Sequence, residues 1–507
     1  MMKYPNVYEL VKSMNMSEKR QFKIYSSRHV IDGENKYTLL FDILDKMENY
    51  DEGKLISELQ SKHKKTAFIK ADMNFLYQSI LKSLVLFHSG KSAQIIINEY
   101  ISVIEILYYK GLFTQCLKEI TKAKSIAGNA ELFSSMLKIV QYEKLVHNHF
   151  TVHKKTEADI INEMRDINQK VQLIIEYYEL YNKANQIRIK AAKTRNTLEI
   201  STFNRLMKHP LLINTPKTKS SEVAIKYYQI YAMWCYVSGD KKNELQHNKK
   251  IIKLFDENEF YKEEHLVEYV NTYARIVSVS KDMTEKIFYE ELQNVRNIVV
   301  PPEKLYFLRA SAQIFNFSYM VELSMYLQKK QYSKATLIIN SIEGGLKKYR
   351  EILTPSYKIT FLYMLAYYYF AIGNFDNARK KINTLLNEYK EDDRPDLYNF
   401  ARLLNLLIHF ELKNYTYIRY KRSSIHYYFK KQASAYETEN QILKFFSREK
   451  NYTTDFEKKV PSLKAVLENT KHHAIEKYAF NYFDFIGWIE SKIAKKRSMS
   501  ALYEPNI

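Results

Sequence analysis

A single glycine between two runs of large apolar side chains places the strongest constraint on the fold of this chain. The stretch LAYYYFAIGNFDNARKKINTLL covers residues 365–386, and its glycine is Gly373. Apolar residues recur at helical spacing on both sides of the glycine: Leu365, Ala366, Tyr369, Ile372, Phe375, Ala378, Ile382 and Leu385. Gly373 can adopt the left-handed conformation that ends a helix, and Asn374 or Asp376 can cap the next one. The stretch predicts a hairpin of two antiparallel helices with an apolar face that it cannot cover alone.

The same order of apolar helix, turn and second helix recurs along the chain. Further copies are read in residues 101–127 and 231–251, with Gly111 and Gly239 at their turns, and in residues 321–342 and 405–425. Polar Glu244 takes the small position in the weak copy at 231–251, and a degenerate copy in residues 271–292 places Lys286 there. The positions that take the small residue in the second helix, Ala335, Ala378 and Ile418, are 43 and 40 residues apart. Units of about 40 to 45 residues that cover one another's open faces predict an all-α protein with an α-solenoid architecture.

The residues of the Gly373 hairpin resemble the tetratricopeptide-repeat signature. That signature has a small residue in each helix, a turn glycine and an aromatic residue after the turn, in the order of Leu365, Ala366, Tyr369, Gly373, Phe375, Ala378 and Ile382. The proline expected at the end of the second helix is missing, with Lys390 nearby. The resemblance implies a superhelix of helix pairs that binds proteins or peptides.

Residues 1–92 lack the hairpin signature and are predicted to form a small N-terminal helical domain that caps a solenoid of residues 93–507. This start is similar to an uncharacterised group of bacterial tetratricopeptide-like proteins. Lys62, Lys64, Lys65 and Lys70 precede or lie on a predicted helix that could enter a DNA major groove. A solvated terminal helix that closes the solenoid explains the same lysines and is the favoured interpretation.

Composition favours long helices and argues against common catalytic sites. The 507 residues include only 10 glycines and 9 prolines, and the glycines form neither a G-x-G-x-x-G motif nor a P-loop. Cys116 and Cys235 lie too far from other Cys or His residues for zinc-ligand spacing. The cluster of His147, His149 and His153 contains no carboxylate, so packed or exposed histidines are favoured over a metal site. We expect a non-catalytic protein without a cofactor or metal.

The chain shows no signal for membrane insertion or export. Its longest uncharged, largely apolar run is FLYMLAYYYFAI, residues 361–372, which is well short of the ~20 residues that cross a bilayer. The first 20 residues do not have the pattern of a signal peptide. A cytoplasmic protein is expected.

Two basic stretches give the chain a possible nucleic-acid partner. The formal net charge is +21. Residues 188–219 include Arg188, Lys190, Lys193 and Arg195, and residues 419–431 interleave Arg419, Lys421 and Arg422 with aromatic residues. Cations beside rings suit single-stranded nucleic acid. The favoured alternative is that the lysines form the solvated side of helices and the rings the packed side, in a composition that an AT-rich genome produces without selection for a ligand.

The register of the Gly373 hairpin also predicts which residues face the concave groove. These groove positions are Met320, Tyr363, Tyr367, Phe370, Leu403 and Leu407. An apolar groove of this kind suits an amphipathic helix or an extended hydrophobic peptide. Packing of the same side chains against an inserted helix of the chain itself is an equally weighted alternative. The sequence thus predicts a protein-binding or peptide-binding scaffold, with a nucleic-acid-associated regulator as the alternative.

Overall fold

The computed structural model describes residues 4–27, 36–62, 66–149, 155–194, 197–216, 220–302, 304, 306–432, 437–446, 454–471 and 476–504. Over these ranges the chain forms 26 α-helices and two short 3-10 helices, and no strand. This confirms the predicted all-α class. The chain divides into two compact units: unit 1 comprises Met1–Tyr269 and Val300–Phe307, and unit 2 comprises Val270–Val299 and Leu308–Ile507.

The helices of unit 1 are mostly 10 to 20 residues long, with one of 38 residues. They are α1 (Tyr4–Ser13), α2 (Met16–Ser27), α3 (Lys36–Lys46), α4 (Glu52–Ser61), α5 (Ile69–Phe87), α6 (Ala93–Tyr109), α7 (Phe113–Asn129), α8 (Phe133–His147), α9 (Glu157–Thr194), α10 (Thr197–Leu206), α11 (Pro210–Ile213), α12 (Ser221–Ser238), α13 (Lys241–Glu257) and α14 (Glu259–Glu264). Helix α15 (Leu266–Ser280) begins in unit 1 and continues into unit 2.

Unit 2 continues with eleven helices among its described residues. They are α16 (Glu285–Arg296), α17 (Phe307–Gln328), α18 (Tyr332–Lys348), α19 (Pro355–Ala371), α20 (Phe375–Glu388), α21 (Pro395–Glu411), α22 (Tyr415–Gln432), α23 (Glu437–Phe445), α24 (Thr454–Lys471), α25 (Phe485–Ile493) and α26 (Ser500–Tyr503). Short 3-10 helices cover Glu391–Asp393 and Glu476–Asn481.

Helices α1 to α5 share an apolar core of their own. Its buried residues run from Val7 to Ile80, and the rings of Phe22 and Phe41 lie 4.6 Å apart at its centre. The next core along the chain belongs to α6, α7 and α8. The predicted domain boundary at residue 92 stays a prediction.

Beyond this N-terminal core, most helices pack against the next helix in the chain. The contacting neighbours include α6 with α7, α7 with α8, α8 with α9, α12 with α13, α19 with α20, α20 with α21 and α21 with α22. This sequential packing is consistent with a helical repeat arrangement. The small position of the second helix is fully buried in four of the predicted copies, at Cys116, Ala335, Ala378 and Ile418.

The helix pairs share one turn geometry. In each turn a residue with positive φ ends the first helix: Gly111, Glu131, Gly239, Lys330, Gly373 and Lys413. The backbone N–H of the following residue then donates to a carbonyl five residues earlier, as Asn374 does to Tyr369 at 2.8 Å and Asn414 does to His409 at 2.8 Å. This is the Schellman arrangement, which satisfies the last carbonyls of a helix. Asn374 also caps α20, as predicted, by accepting from the N–H of Asn377.

Candidate functional site

The predicted groove residues lie on α17, α19 and α21 of unit 2. Five are buried in the core of the unit: Tyr363, Tyr367, Phe370, Leu403 and Leu407. The sixth, Met320, is half-buried at the edge of the same core. The side chains on α19 contact residues 479–504 of the same chain, which we call the C-terminal segment.

Two tyrosines of α19 bind the main chain of the C-terminal segment. The hydroxyl of Tyr363 donates to the carbonyl of Tyr482 at 3.2 Å, and the hydroxyl of Tyr367 accepts from the N–H of Asp484 at 3.3 Å. Burial raises the pKa of both phenols well above the ordinary value, so both keep their proton at neutral pH. Tyr363 and Tyr367 therefore bind one carbonyl and one N–H of the C-terminal segment where its main chain passes over α19.

Aromatic rings pack along the same stretch of the C-terminal segment. The ring of Phe483 lies 4.8 Å from that of Tyr367 and 5.4 Å from that of Phe370. The ring of Tyr482 stacks on Phe400 of α21, with centroids 4.3 Å apart and an interplanar angle of 9°. Side chains of both α19 and α21 thus contact consecutive residues of the segment.

Helix α25 attaches the segment to the end of α21 through charge-assisted contacts. The carboxylate of Glu411 accepts from Nε1 of Trp488 at 2.7 Å and from Nζ of Lys492 at 2.6 Å. Trp488 is buried, and its ring meets that of Phe410 edge-on at 6.0 Å. Charge-assisted hydrogen bonds such as these partly buried ones are stronger than neutral ones.

Two acidic residues of the segment, one near its start and one at its end, bind the turn between α17 and α18 and the first turn of α18. Asp484 caps α25 and also pairs with Nζ of Lys330 at 2.8 Å. The carboxylate of Glu504 accepts from the N–H of Ser333 at 3.0 Å and from its hydroxyl at 2.7 Å. Ser333 lies in the first turn of α18, where backbone N–H groups lack helical partners and a negative charge is favourable.

The three groove positions on α19, Tyr363, Tyr367 and Phe370, contact the protein's own C-terminal segment in this structure. The sequence left open an exposed groove or packing against an inserted helix of the same chain, and the contacts on α19 are made with the same chain but not with an inserted helix. The covering stretch around Phe483 is a 3-10 helix and a short loop, followed by α25. The physical reason is that an exposed apolar face of this size is unfavourable. The sequence analysis missed Tyr482, Phe483 and Trp488, although the aromatic density of YAFNYFDFIGWI at 478–489 was a usable signal.

A cavity of about 470 Å³ remains between α17, α19 and the C-terminal segment. Its wall includes Leu327, Met364 and Leu397 as apolar side chains, and Lys330 and Asp484 as an ion pair at one side. A cavity of this size lies within the range of ~300–1,000 Å³ that is typical of ligand sites.

The predicted anionic-partner residues lie on helices of different units. Arg188 and Lys190 are on α9 of unit 1, where the Arg188 guanidinium donates to Asn185 at 2.9 Å. The side chain of Lys193 and all of Arg195 lie outside the described residues. Arg419, Lys421 and Arg422 are on α22 of unit 2, of which the first two are exposed and the third is half-buried.

Two of the three tyrosines in the second basic stretch are not packed, whereas Tyr428 lies against the core of unit 2. Tyr420 is 77% exposed and Tyr427 is 72% exposed. The interpretation that the rings form the packed side of the helix is therefore wrong for these two residues. Of the lysines proposed to approach DNA, Lys64 and Lys65 lie outside the described residues, and Lys70 is exposed at the start of α5.

The histidine cluster is engaged in local packing where it is described. His149 stacks on Phe113 at 3.9 Å, and Nε2 of His147 lies 3.1 Å from the carbonyl oxygen of Lys155. His153 lies outside the described residues. In the described ranges, no group of three or more His, Cys, Asp or Glu side chains is placed to hold a metal ion.

None of the helices described combines the length and apolar character needed to span a membrane. Comparison with known proteins leaves the chain without a family: no family model, no curated protein and no solved structure matches it.

Proposed function

We propose that the protein is a non-catalytic scaffold of tetratricopeptide-like type that binds polypeptide segments on the face formed by α17, α19 and α21. The observation that carries the proposal is the contact already made there. Tyr363 and Tyr367 bind main-chain groups of the C-terminal segment, and the rings of Tyr367 and Phe370 contact Phe483.

These contacts divide into two kinds that together suit an extended polypeptide. Hydrogen bonds to a main-chain carbonyl and N–H accept any sequence that follows the same path. Packing of an aromatic ring between Tyr367 and Phe370 selects a particular side chain. A partner segment would therefore carry an aromatic residue at the place of Phe483, followed by an acidic residue at the place of Asp484 to pair with Lys330.

The C-terminal segment determines how tightly a partner must bind in order to displace it. Because it belongs to the same chain, its effective concentration at the groove is far above that of a separate molecule. A partner must bind this face more tightly than the segment does, or act when the segment is released.

Competition between a peptide and the segment tests this proposal. The probe is a fluorescein-labelled peptide of residues 478–490, titrated by anisotropy into the full-length protein and into its Phe483→Ala variant. We expect the variant to bind the peptide at least about tenfold more tightly, because its own segment has lost the ring that fills the Tyr367–Phe370 site. A peptide carrying the same Phe483→Ala change is the matched control and should not bind.

Circular dichroism establishes that the variant is folded, and Phe483→Leu provides a milder change if it is not. Equal, weak binding of the peptide to a folded variant and to the original protein would contradict the proposal.

The exposed rings of α22 favour a second candidate function, contact with single-stranded nucleic acid. Tyr420 and Tyr427 offer open faces for stacking, and Arg419 and Lys421 offer charges for phosphates. Binding of a single-stranded RNA oligonucleotide that falls steeply with salt and is lost in Tyr420→Ala with Tyr427→Ala would support it. Binding that is unchanged in that variant would remove it.

A further inference from the structure

A cleft in unit 1 combines apolar side chains with several basic ones. It lies between α9 and α10, has a volume of about 620 Å³, and opens to solvent. We call it the basic cleft and define it by Lys183, Ile187, Lys190, Leu198, Arg205 and Lys208.

The charge of the basic cleft is unbalanced. Lys183, Lys190, Arg205 and Lys208 line it, whereas Glu199 is the one carboxylate among its described lining residues. Lys183, Arg205 and Lys208 make no ion pair or side-chain hydrogen bond with any described residue. By contrast, many other basic side chains of unit 1 are paired, as Lys124 is with Glu143 at 2.7 Å. Three uncompensated cations around one cavity create a local potential that attracts an anion.

Beside the cations, the wall of the cleft has three aliphatic side chains together with polar Gln186, Thr202 and His209. Ile187 comes from α9, and Leu198 and Leu206 come from α10. Leu198 is 63% exposed, which leaves a large apolar side chain in water directly beside the cations. No Phe, Tyr or Trp is among the described lining residues, and the imidazole of His209 is the one ring among them, so the cleft offers little ring surface for base stacking.

The walls are held in place by contacts behind the cleft. Phe203 of α10 is fully buried in the core that α9 and α12 share. Nε1 of Trp234 donates to the side-chain oxygen of Asn204 at 2.9 Å, one residue before Arg205. The hydroxyls of Tyr177 and Tyr231 donate to the carbonyls of Leu211 and Leu212, at 2.7 and 2.6 Å, and fix the chain that follows α10. The cleft is therefore preformed, which lowers the ordering cost of binding.

We propose that the basic cleft binds an anionic amphiphile, a molecule with an aliphatic chain and a phosphate head. The chain lies against Ile187, Leu198 and Leu206, and the head is bound by Lys183, Arg205 and Lys208. Arg205 can bind two oxygens of one phosphate through its planar guanidinium, and the lysines add point charges. A free alkyl phosphate and a phospholipid of a membrane surface both have this chemistry.

Calorimetric titration of the full-length protein with n-decyl phosphate below its micelle concentration tests the site. We expect binding at one site, with at least about tenfold weaker affinity in Lys183→Ala with Arg205→Ala, because two charge-assisted contacts are lost. Both side chains are exposed, so this variant should keep the helical circular dichroism of the original protein. Decanol and inorganic phosphate, which each lack one half of the ligand, should bind at least about tenfold more weakly.

Vesicles separate the two sources of the ligand. Sedimentation with phosphatidylglycerol vesicles but not with phosphatidylcholine vesicles, lost in the same double variant, assigns the cleft to a membrane lipid. Binding of monomeric decyl phosphate alone assigns it to a free amphiphile. The matched control is Lys118→Ala with Lys138→Ala on α7 and α8, which removes two exposed cations elsewhere in unit 1 and should leave binding unchanged.

Three results would overturn the proposal. One is failure of both decyl phosphate and anionic vesicles to bind, and another is equal loss of binding in the Lys118→Ala with Lys138→Ala variant. The third is cleft-dependent binding of a single-stranded RNA oligonucleotide without binding of decyl phosphate. That result would assign the cations of α9 and α10 to nucleic acid instead.

Discussion

Two adjacent glycines of α18 should respond to the same substitution with opposite sign. Gly344 faces open space, because a β-carbon built there meets no atom within 4 Å. A β-carbon at Gly345 would lie only 2.0, 2.4 and 2.5 Å from three ring carbons of Phe315 on α17. We expect Gly344→Ala to raise the free energy of unfolding by about 0.5–1 kcal/mol, the advantage of Ala over Gly inside a helix.

Gly345→Ala gains the same propensity but forces the Phe315 ring to move within a packed core. Overpacking of this kind costs about 1–3 kcal/mol, so the net change should be a loss of roughly 1–2 kcal/mol. Shortening the neighbour, in Gly345→Ala with Phe315→Leu, should recover part of that loss, because the two changes share one contact and do not add.

The assay follows Trp488 during denaturant unfolding. The chain has two tryptophans, Trp234 in unit 1 and Trp488 in unit 2. A Trp234→Phe background therefore makes the fluorescence report on the unit that contains α17 and α18. If Gly345→Ala were as stable as Gly344→Ala in that background, the close packing of α17 on α18 at Phe315 would be refuted.

Three further predictions concern turns, thiols and acid stability. Gly373→Ala should lower the free energy of unfolding by about 1–2 kcal/mol, because φ is 81° there. Lys413→Gly should raise it by about 0.5 kcal/mol, because glycine adopts the left-handed conformation without that strain. Thermal unfolding compares the two variants, and a stabilised Gly373→Ala would contradict the turn geometry. Cys116 and Cys235 are buried, and burial raises the pKa of the Cys235 thiol to about 11. A disulfide reagent at pH 8 should therefore react with both thiols only after unfolding. Rapid reaction of the native protein would contradict their burial. Burial raises the pKa of Glu268 and Lys226 lowers it, and the net result is a lowered pKa. The stabilising contribution of Glu268 is therefore complete above an ordinary carboxyl pKa of ~4.3, and it is lost as the pH falls through the lower pKa of the folded state. Glu268→Gln should therefore make acid unfolding of unit 1, followed by Trp234, less steep, and an unchanged acid transition would remove Glu268 as its cause.

The repeated helix pairs could be predicted where the sequence marks their turns with glycine. Gly111, Gly239 and Gly373 adopt the left-handed conformation that the sequence suggested. The equivalent turns at Glu131, Lys330 and Lys413 have the same conformation without glycine, with φ of 54°, 60° and 58°. Because the strain of one such residue is only about 1–2 kcal/mol, a packed repeat can tolerate it, and the glycine signature disappears while the turn remains.

The register of the weaker copies was harder to predict. In the copies around residues 244 and 286 the sequence analysis placed Glu244 and Lys286 at the buried small position. The structure leaves Glu244 half-buried and Lys286 exposed, and buries Asn248 and Phe288 instead. Polar residues diluted the helical period in both places, so neighbouring registers fitted the pattern nearly as well.

The covering of the groove could not be deduced from local periodicity. The hydrogen bond between Tyr363 and Tyr482 joins residues 119 positions apart. Helical spacing shows that Tyr363 and Tyr367 are apolar-face residues, but it does not show which distant segment covers them. Their place on one shared helix face therefore followed from the sequence, whereas their burial and the identity of the covering segment did not.

The C-terminal segment explains which residues occupy the turns of the three helix pairs that it touches. Lys330 adopts a left-handed conformation that glycine would adopt with less strain, yet its Nζ pairs with Asp484 and its charge lies 3.9 Å from the ring centroid of Tyr503. At the next turn the opposite requirement holds, because a β-carbon on Gly373 would lie 3.2 Å from that of Ser498. The third pair contributes Glu411, just before its turn, to bind Lys492. A cation at the first of these turns, a bare backbone at the second and an anion on α21 just before the third thus each match one segment, so the residues around these turns differ while the turn geometry repeats.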